Sequence, residues 1–202
     1  MNRITPSLWL SICLCALLLA LGAFPTITEP LLQFDRQRIE GGEWWRLLSG
    51  HFVHYGAYHL LMNVAALALC GFVLLRHLGL LAYATLLLIC ALGVGLGLYF
   101  LSLELEFYAG ISGVLHGLIL AGLLISLRET PVFNVVALLL VMGKLFQEQG
   151  ANFDTSHVLL PVPVAVDAHV YGAAAGFIFA VGILIYTYLT KTNAHPKTLE
   201  GK

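Results

Sequence analysis

The chain has 202 residues, 59% of them hydrophobic and only 10% charged, with a formal net charge of −1. So few charged groups cannot cover a water-soluble globule, and the balance of signs gives no reason to expect a nucleic-acid partner. The composition is that of an integral membrane protein.

About 20 apolar residues cross a bilayer, and six stretches qualify as predicted spans: 8–24, 57–75, 80–101, 112–127, 132–149 and 166–190. Together they specify an all-α bundle of six transmembrane helices in one domain, 1–202, with a short cytoplasmic tail at 191–202. The first span follows Arg3 and has small residues at Ala20 and Gly22, as a secretory signal would. A retained span is expected, since its removal would leave five helices. The connection 25–56 carries Trp44 and Trp45 beside Arg46, which read as an anchor at the headgroup level. It also carries His51 and His54. With His59 they form a histidine cluster, but two of the three precede the helix and no acidic or cysteine ligand lies near in sequence. These histidines are expected to shape the loop, and no metal or other cofactor is expected.

Within the second span, His59 and Asn63 are four residues apart and share one helical face. The third contains Gly93, Gly95 and Gly97, a candidate kink or close crossing. The fourth begins at Ser112, with His116 one turn later on the same face. At about 1.5 Å per residue its 16 residues reach only ~24 Å, so Ser112 should lie below the membrane surface. After the fifth span, the polar stretch 152–163 is a candidate cap over a site, and lateral entry of a substrate would need movement near the fifth helix. The sixth span places His169, Gly172 and Gly176 on one stripe, where the glycines permit a close helix crossing. Asp167 points elsewhere and reads as a solvated helix-start residue. Cys13, Cys15, Cys70 and Cys90 lie in apolar spans without metal-type spacing and read as packing residues.

With both ends in the cytoplasm, Arg3, Arg76, Arg128, Lys191, Lys197 and Lys202 lie inside, and nine of the 11 acids lie outside. Ser112 and His169 then begin their helices at the outer face. Polar groups at membrane depth are functional by default. Serine needs a base to become a nucleophile, and neutral histidine can serve, so Ser112 with His169 forms a candidate acyl-transfer dyad. His59, Asn63 and the Ser112 backbone N–H are candidate donors to an oxyanion.

These motifs, in this order, resemble the rhomboid intramembrane serine proteases: Trp45-Arg46, His59-Leu60-Leu61-Met62-Asn63, Gly110-Ile111-Ser112-Gly113, and Ala168-His169 followed by Gly172 and Gly176. The resemblance implies Ser112 as nucleophile, His169 as general base, and His59 and Asn63, beside Gly110, at the oxyanion and substrate site. It also implies cleavage of membrane-anchored proteins near the outer end of their transmembrane segment. A narrower resemblance is to the rhombosortase branch, carried by the compact chain, by Trp45-Arg46-Leu47-Leu48-Ser49-Gly50-His51 with His54, and by Gly110 to Gly117. That branch implies a bacterial inner-membrane enzyme opening to the periplasm, whose substrates end in a Gly-Gly pair, an apolar helix and a basic end. Better-known bacterial rhomboids often carry a tyrosine packed on the catalytic histidine where this chain has His116, which is expected to take over that packing or to tune His169. Gly172 and Gly176 support the site. Two other classes stay open: a non-catalytic binder of transmembrane segments and a small membrane transporter.

Overall fold

In the computed structural model, residues 5–151, 153–156 and 162–193 are described, with side chains as far as Thr190. The chain is mostly helical. Its order is α1 (Pro6–Gly22), α2 (Pro25–Leu32), β1 (Phe34–Asp35), α3 (Arg36–Glu40), α4 (Arg46–Ser49), α5 (Ala57–Leu69), α6 (Leu80–Leu101), β2 (Phe107–Tyr108), α7 (Ser112–Ile125), α8 (Pro131–Glu148) and α9 (Val166–Asn193).

Local chemistry explains the boundaries. Thr5 caps α1 by accepting from the Leu8 N–H, and Pro6 needs no N–H at the first helical position. The helix therefore starts before the first apolar residue. Pro25 opens α2 after a 109° bend, so the first apolar run continues into a helix that turns away from it. α5 is prolonged by a π-turn, Cys70–Leu74, in which the Leu75 N–H donates to the Cys70 carbonyl.

Among the described residues, four helices are long and apolar enough to span a membrane: Ala57–Leu74, Leu80–Leu101, Pro131–Glu148 and Val166–Thr190. The bent pair α1–α2 qualifies when taken together, whereas α7 is apolar but short. Six spans were expected, and four to five reach full length. α9 runs to Asn193, so the stretch read as a tail from residue 191 begins inside the helix. Residues 194–202 lie outside the described residues, as does part of the 152–163 cap. One short strand pair accompanies the helices. β1 pairs antiparallel with β2, Phe34 opposite Tyr108, which gives backbone groups of the first loop and of the segment before Ser112 their partners.

The core forms around α7. Gly113, Val114, Leu115, Gly117, Leu118, Leu120, Ala121, Gly122 and Leu123 are all buried, and a helix buried on every side belongs in the middle of a protein. α6 contributes Tyr83, Leu86, Cys90, Val94 and Leu98, spaced to lie along one face. α9 crosses α7 at backbone contact. Any Cβ on Gly172 would collide with the Gly113 carbonyl, and one on Gly176 with the Gly117 carbonyl. In return, a Cβ on Gly113 would stand 2.6 Å from the Ala168 carbonyl oxygen. Two glycine stripes, one on each helix, thus bring the axes together. Gly93, Gly95 and Gly97 do similar work on α6, where they admit Ala175, the Leu47 backbone and Tyr171.

Two arginines organise the first loop. Arg36 donates to the carbonyls of Leu98, Tyr99, Ser102 and Leu105, which gives the C-terminal end of α6 both partners and a compensating charge. Arg46 is 1% exposed. It binds Glu43 at 2.6 Å and the Gln33 and Pro30 carbonyls at 2.8 and 3.0 Å. The expected anchor is therefore divided. Trp44 and Trp45 are exposed, while Arg46 is an internal clamp, because a fork of N–H donors suits a loop with unpaired carbonyls.

Candidate active site

The glycine crossing delivers His169 to Ser112. The Ser112 hydroxyl donates to His169 Nε2 at 3.1 Å, across 57 positions of sequence. His169 is buried and makes a second bond through Nδ1, 2.8 Å from Glu148 Oε2 on α8. A carboxylate only accepts, so Nδ1 carries the proton and the Nε2 lone pair faces the serine. That is the tautomer a general base requires.

His116 lies under this pair. Its ring stacks on His169 with centroids 4.1 Å apart and planes 22° apart. Nδ1 donates to the Ser112 carbonyl at 2.8 Å, which leaves Nε2 to accept from Lys144 Nζ at 3.2 Å. Lys144 also pairs with Glu148, one turn along α8. Glu148 and Lys144 were not picked out from sequence. A signal existed, since an acid and a base four residues apart in an apolar span are costly there and call for partners. His116, Glu148 and His169 bring potential metal-ligand atoms within 4.8 Å of one another. The Lys144 ammonium already meets the carboxylate's charge at that point.

Before the serine, the backbone is held from both sides. Gly110 has φ +126°, a conformation L side chains avoid, and a Cβ there would stand 2.7 Å from His59 Cε1 and 3.7 Å from Asn63 Nδ2. The Gly110 N–H donates to the Gly50 carbonyl at 3.0 Å, and its own carbonyl accepts from the Tyr108 hydroxyl at 2.6 Å. Burial pushes the Tyr108 phenol up from its ordinary range and keeps that donor protonated.

Two loop histidines support the same segment. Burial, with His59 and His51 beside it, pushes His54 down to about 3. Its neutral Nε2 can therefore accept the Ile111 N–H, at 3.4 Å. Burial also lowers His51. A neutral imidazole has one donor, and the 3.0 Å contact from Nε2 to the Ala91 carbonyl is favoured over the 3.4 Å contact from Nδ1 to Gly110.

A cavity of about 480 Å³ opens onto Ser112, lined on its polar side by His59 and Tyr55 and elsewhere by Phe107, Val164 and Ala165. Asn63 is buried, and its Nδ2 donor has no hydrogen-bond partner among the described residues. It lies beside Gly110, where a developing oxyanion could receive it. Among the described residues, no hydrogen bond or ion pair joins Asp167 to His169. Asp167 starts α9 partly exposed, and accepts from Ser102 at 2.6 Å, which also bonds Tyr171, so it ties α9 to the end of α6.

The family described as "Rhomboid domain" matches residues 41–186, which include every one of these side chains. The chain belongs to the rhomboid family. "RHOMBOID-like protein 4" of Arabidopsis thaliana is 31% identical over 166 residues, a region that covers 77% of this chain and 39% of the plant protein. The chain thus spans well under half the length of that relative. Within this rhomboid domain, the loop residues Gly50, His51 and His54, α5, the start of α7 and the start of α9 converge on one point. α8 adds the Lys144–Glu148 pair to it.

Proposed function

We propose that this rhomboid is an intramembrane serine endopeptidase. The observation that carries the reading is the 3.1 Å contact between Ser112 Oγ and His169 Nε2, with the histidine in the accepting tautomer. In the proposed reaction, Oγ attacks the carbonyl carbon of the scissile bond while its proton passes to Nε2. Negative charge then develops on the carbonyl oxygen, toward the Asn63 amide, His59 and the N–H groups opening α7. His169 returns the proton to the departing amine, leaving an acyl-enzyme on Ser112. Water attacks that ester and gives its proton to His169; the acyl carbon–Oγ bond then breaks, His169 returns the proton to Ser112 Oγ, and the acid is released.

The substrate is a membrane-anchored protein cut near the outer end of its transmembrane segment. Support for a Gly-Gly sorting tail comes from the rhombosortase-like motifs around His51 and His116. Their setting would be the bacterial inner membrane, with both termini cytoplasmic and the cavity facing the periplasm, in keeping with the distribution of Lys and Arg. The test is to incubate the reconstituted protein with a single-span substrate ending in such a tail and to weigh the released fragment. A mass equal to hydrolysis is expected. An added amine would replace hydrolysis with transfer, and an intact substrate would remove the assignment.

Asn63 gives a second check. Asn63→Ala is expected to lower kcat by about 10²- to 10³-fold with little change in KM, the usual size for one lost oxyanion donor. A change confined to KM would assign Asn63 to substrate binding instead.

A further inference from the structure

We propose that Glu148 is the positioning residue of His169 and that Lys144 fixes which way Glu148 acts, so that the base is oriented by a charged pair from α8. This inference rests on the Ser112–His169 reading above.

Glu148 is 8% exposed, and a carboxylate so placed in an apolar span is unfavourable unless it is paired and hydrogen-bonded. Both conditions are met, by opposite oxygens. Oε1 pairs with Lys144, whose side chain is 51% exposed and reaches in from the rim, while Oε2 accepts from His169 Nδ1 at 2.8 Å. Docking α8 does not require this arrangement, because Leu145 already packs there with Leu120 and Ala173. A buried ion pair is itself weak evidence of stabilisation. What the pair does achieve is a choice of tautomer and a negative charge behind the imidazolium that forms when the serine gives up its proton. His116, stacked on the ring and bonded to Lys144, holds the plane of His169 while this happens.

Lys144 determines how an amide at position 148 would be oriented. In Glu148→Gln, the ammonium still demands an acceptor, so the amide oxygen turns to Lys144 and the NH₂ group faces His169. Nδ1 must then accept, the proton moves to Nε2, and the base presents the wrong nitrogen to Ser112. The expected result is a fall in kcat of about 10³- to 10⁴-fold with KM little changed, the size seen elsewhere when a triad histidine is held in the wrong tautomer. Adding Lys144→Met frees the amide to rotate, and the double variant should recover at least about tenfold over Glu148→Gln alone. Glu148→Asp, which keeps the charge but is shorter, should retain intermediate activity. A merely structural role for Glu148 predicts no rescue by removing a second charge.

The ¹⁵N-histidine spectrum of the full chain in detergent reads the same device without any substrate. Protonated Nδ1 on His169 is expected in the wild type, protonated Nε2 in Glu148→Gln, and a return to Nδ1 in the double variant. If Glu148→Gln keeps its kcat and the Nδ1 proton while Ser112→Ala abolishes cleavage, Glu148 loses its role and the protease reading stands. If the wild type cleaves nothing, the protease reading fails, and the histidine spectra still decide whether Glu148 sets the tautomer. Unchanged spectra across the three proteins overturn the proposal in either case.

Discussion

Ser112→Ala is expected to abolish cleavage of a membrane substrate, with a loss on the order of 10⁵- to 10⁶-fold, as removal of a nucleophile commonly gives. The fold should survive. The Ser112 hydroxyl bonds His169 and interacts with the Tyr108 hydroxyl, which keeps its own bond to the Gly110 carbonyl, and the helix start depends on backbone and loop contacts from Gly50, His54 and Tyr108. A serine-reactive phosphonate should label the wild type and leave the variant unlabelled, with equal melting temperatures in detergent. This variant also separates the three functional classes. A non-catalytic binder would retain its partner and show no labelling in either form, whereas a transporter would keep its flux after the substitution. Labelling of the alanine variant at another residue would move the nucleophile elsewhere.

How far these features could be read from sequence depends on whether they are local. The limits of α6 match the apolar run 80–101, and α7 begins at the serine, because a helix in a membrane is marked by composition and its start by the preceding glycine-bearing loop. His169, Gly172 and Gly176 share a stripe, so their common face was legible from a period of 3.6. The matching stripe on α7, Gly113 and Gly117, was less so. Which glycines face which is a property of two helices at once.

Arg46 and Glu148 show the same limit more sharply. A tryptophan pair beside an arginine has the composition of an interfacial anchor, and only the folded loop reveals that the guanidinium turns inward to the Pro30 and Gln33 carbonyls. Glu148 ends an apolar run and could be assigned to the water boundary on hydropathy alone. Its partner lies 21 positions away on another helix, a separation no periodicity reports. The cost of a charge in hydrocarbon was the available clue. Applied to Lys144 and Glu148 as it was to Ser112 and His169, it would have marked them as a pair in search of partners.

Gly172→Leu is expected to separate the helices that make the site. Its Cβ would meet the Gly113 carbonyl oxygen, with the Gly113 carbonyl carbon 2.6 Å away. These are backbone atoms, so no rotamer change relieves the collision and α9 must move off α7. His169 lies one turn before Gly172 on the same stripe and would move with it. A displacement of about 1 Å in such a contact can cost roughly 10²-fold in rate, and the larger leucine should cost more. Stability falls as well, because the crossing is the centre of the core and parting it opens space along Val94 and Ala168. Gly182 supplies the control on the same helix, where an added Cβ meets nothing within 4 Å. Gly182→Ala should leave labelling unchanged and raise stability by about 0.5–1 kcal/mol, the helix-propensity gain of alanine over glycine. Equal behaviour of the two variants, in labelling rate and in melting temperature, would show that the close crossing of α7 and α9 does not set the distance between Ser112 and His169.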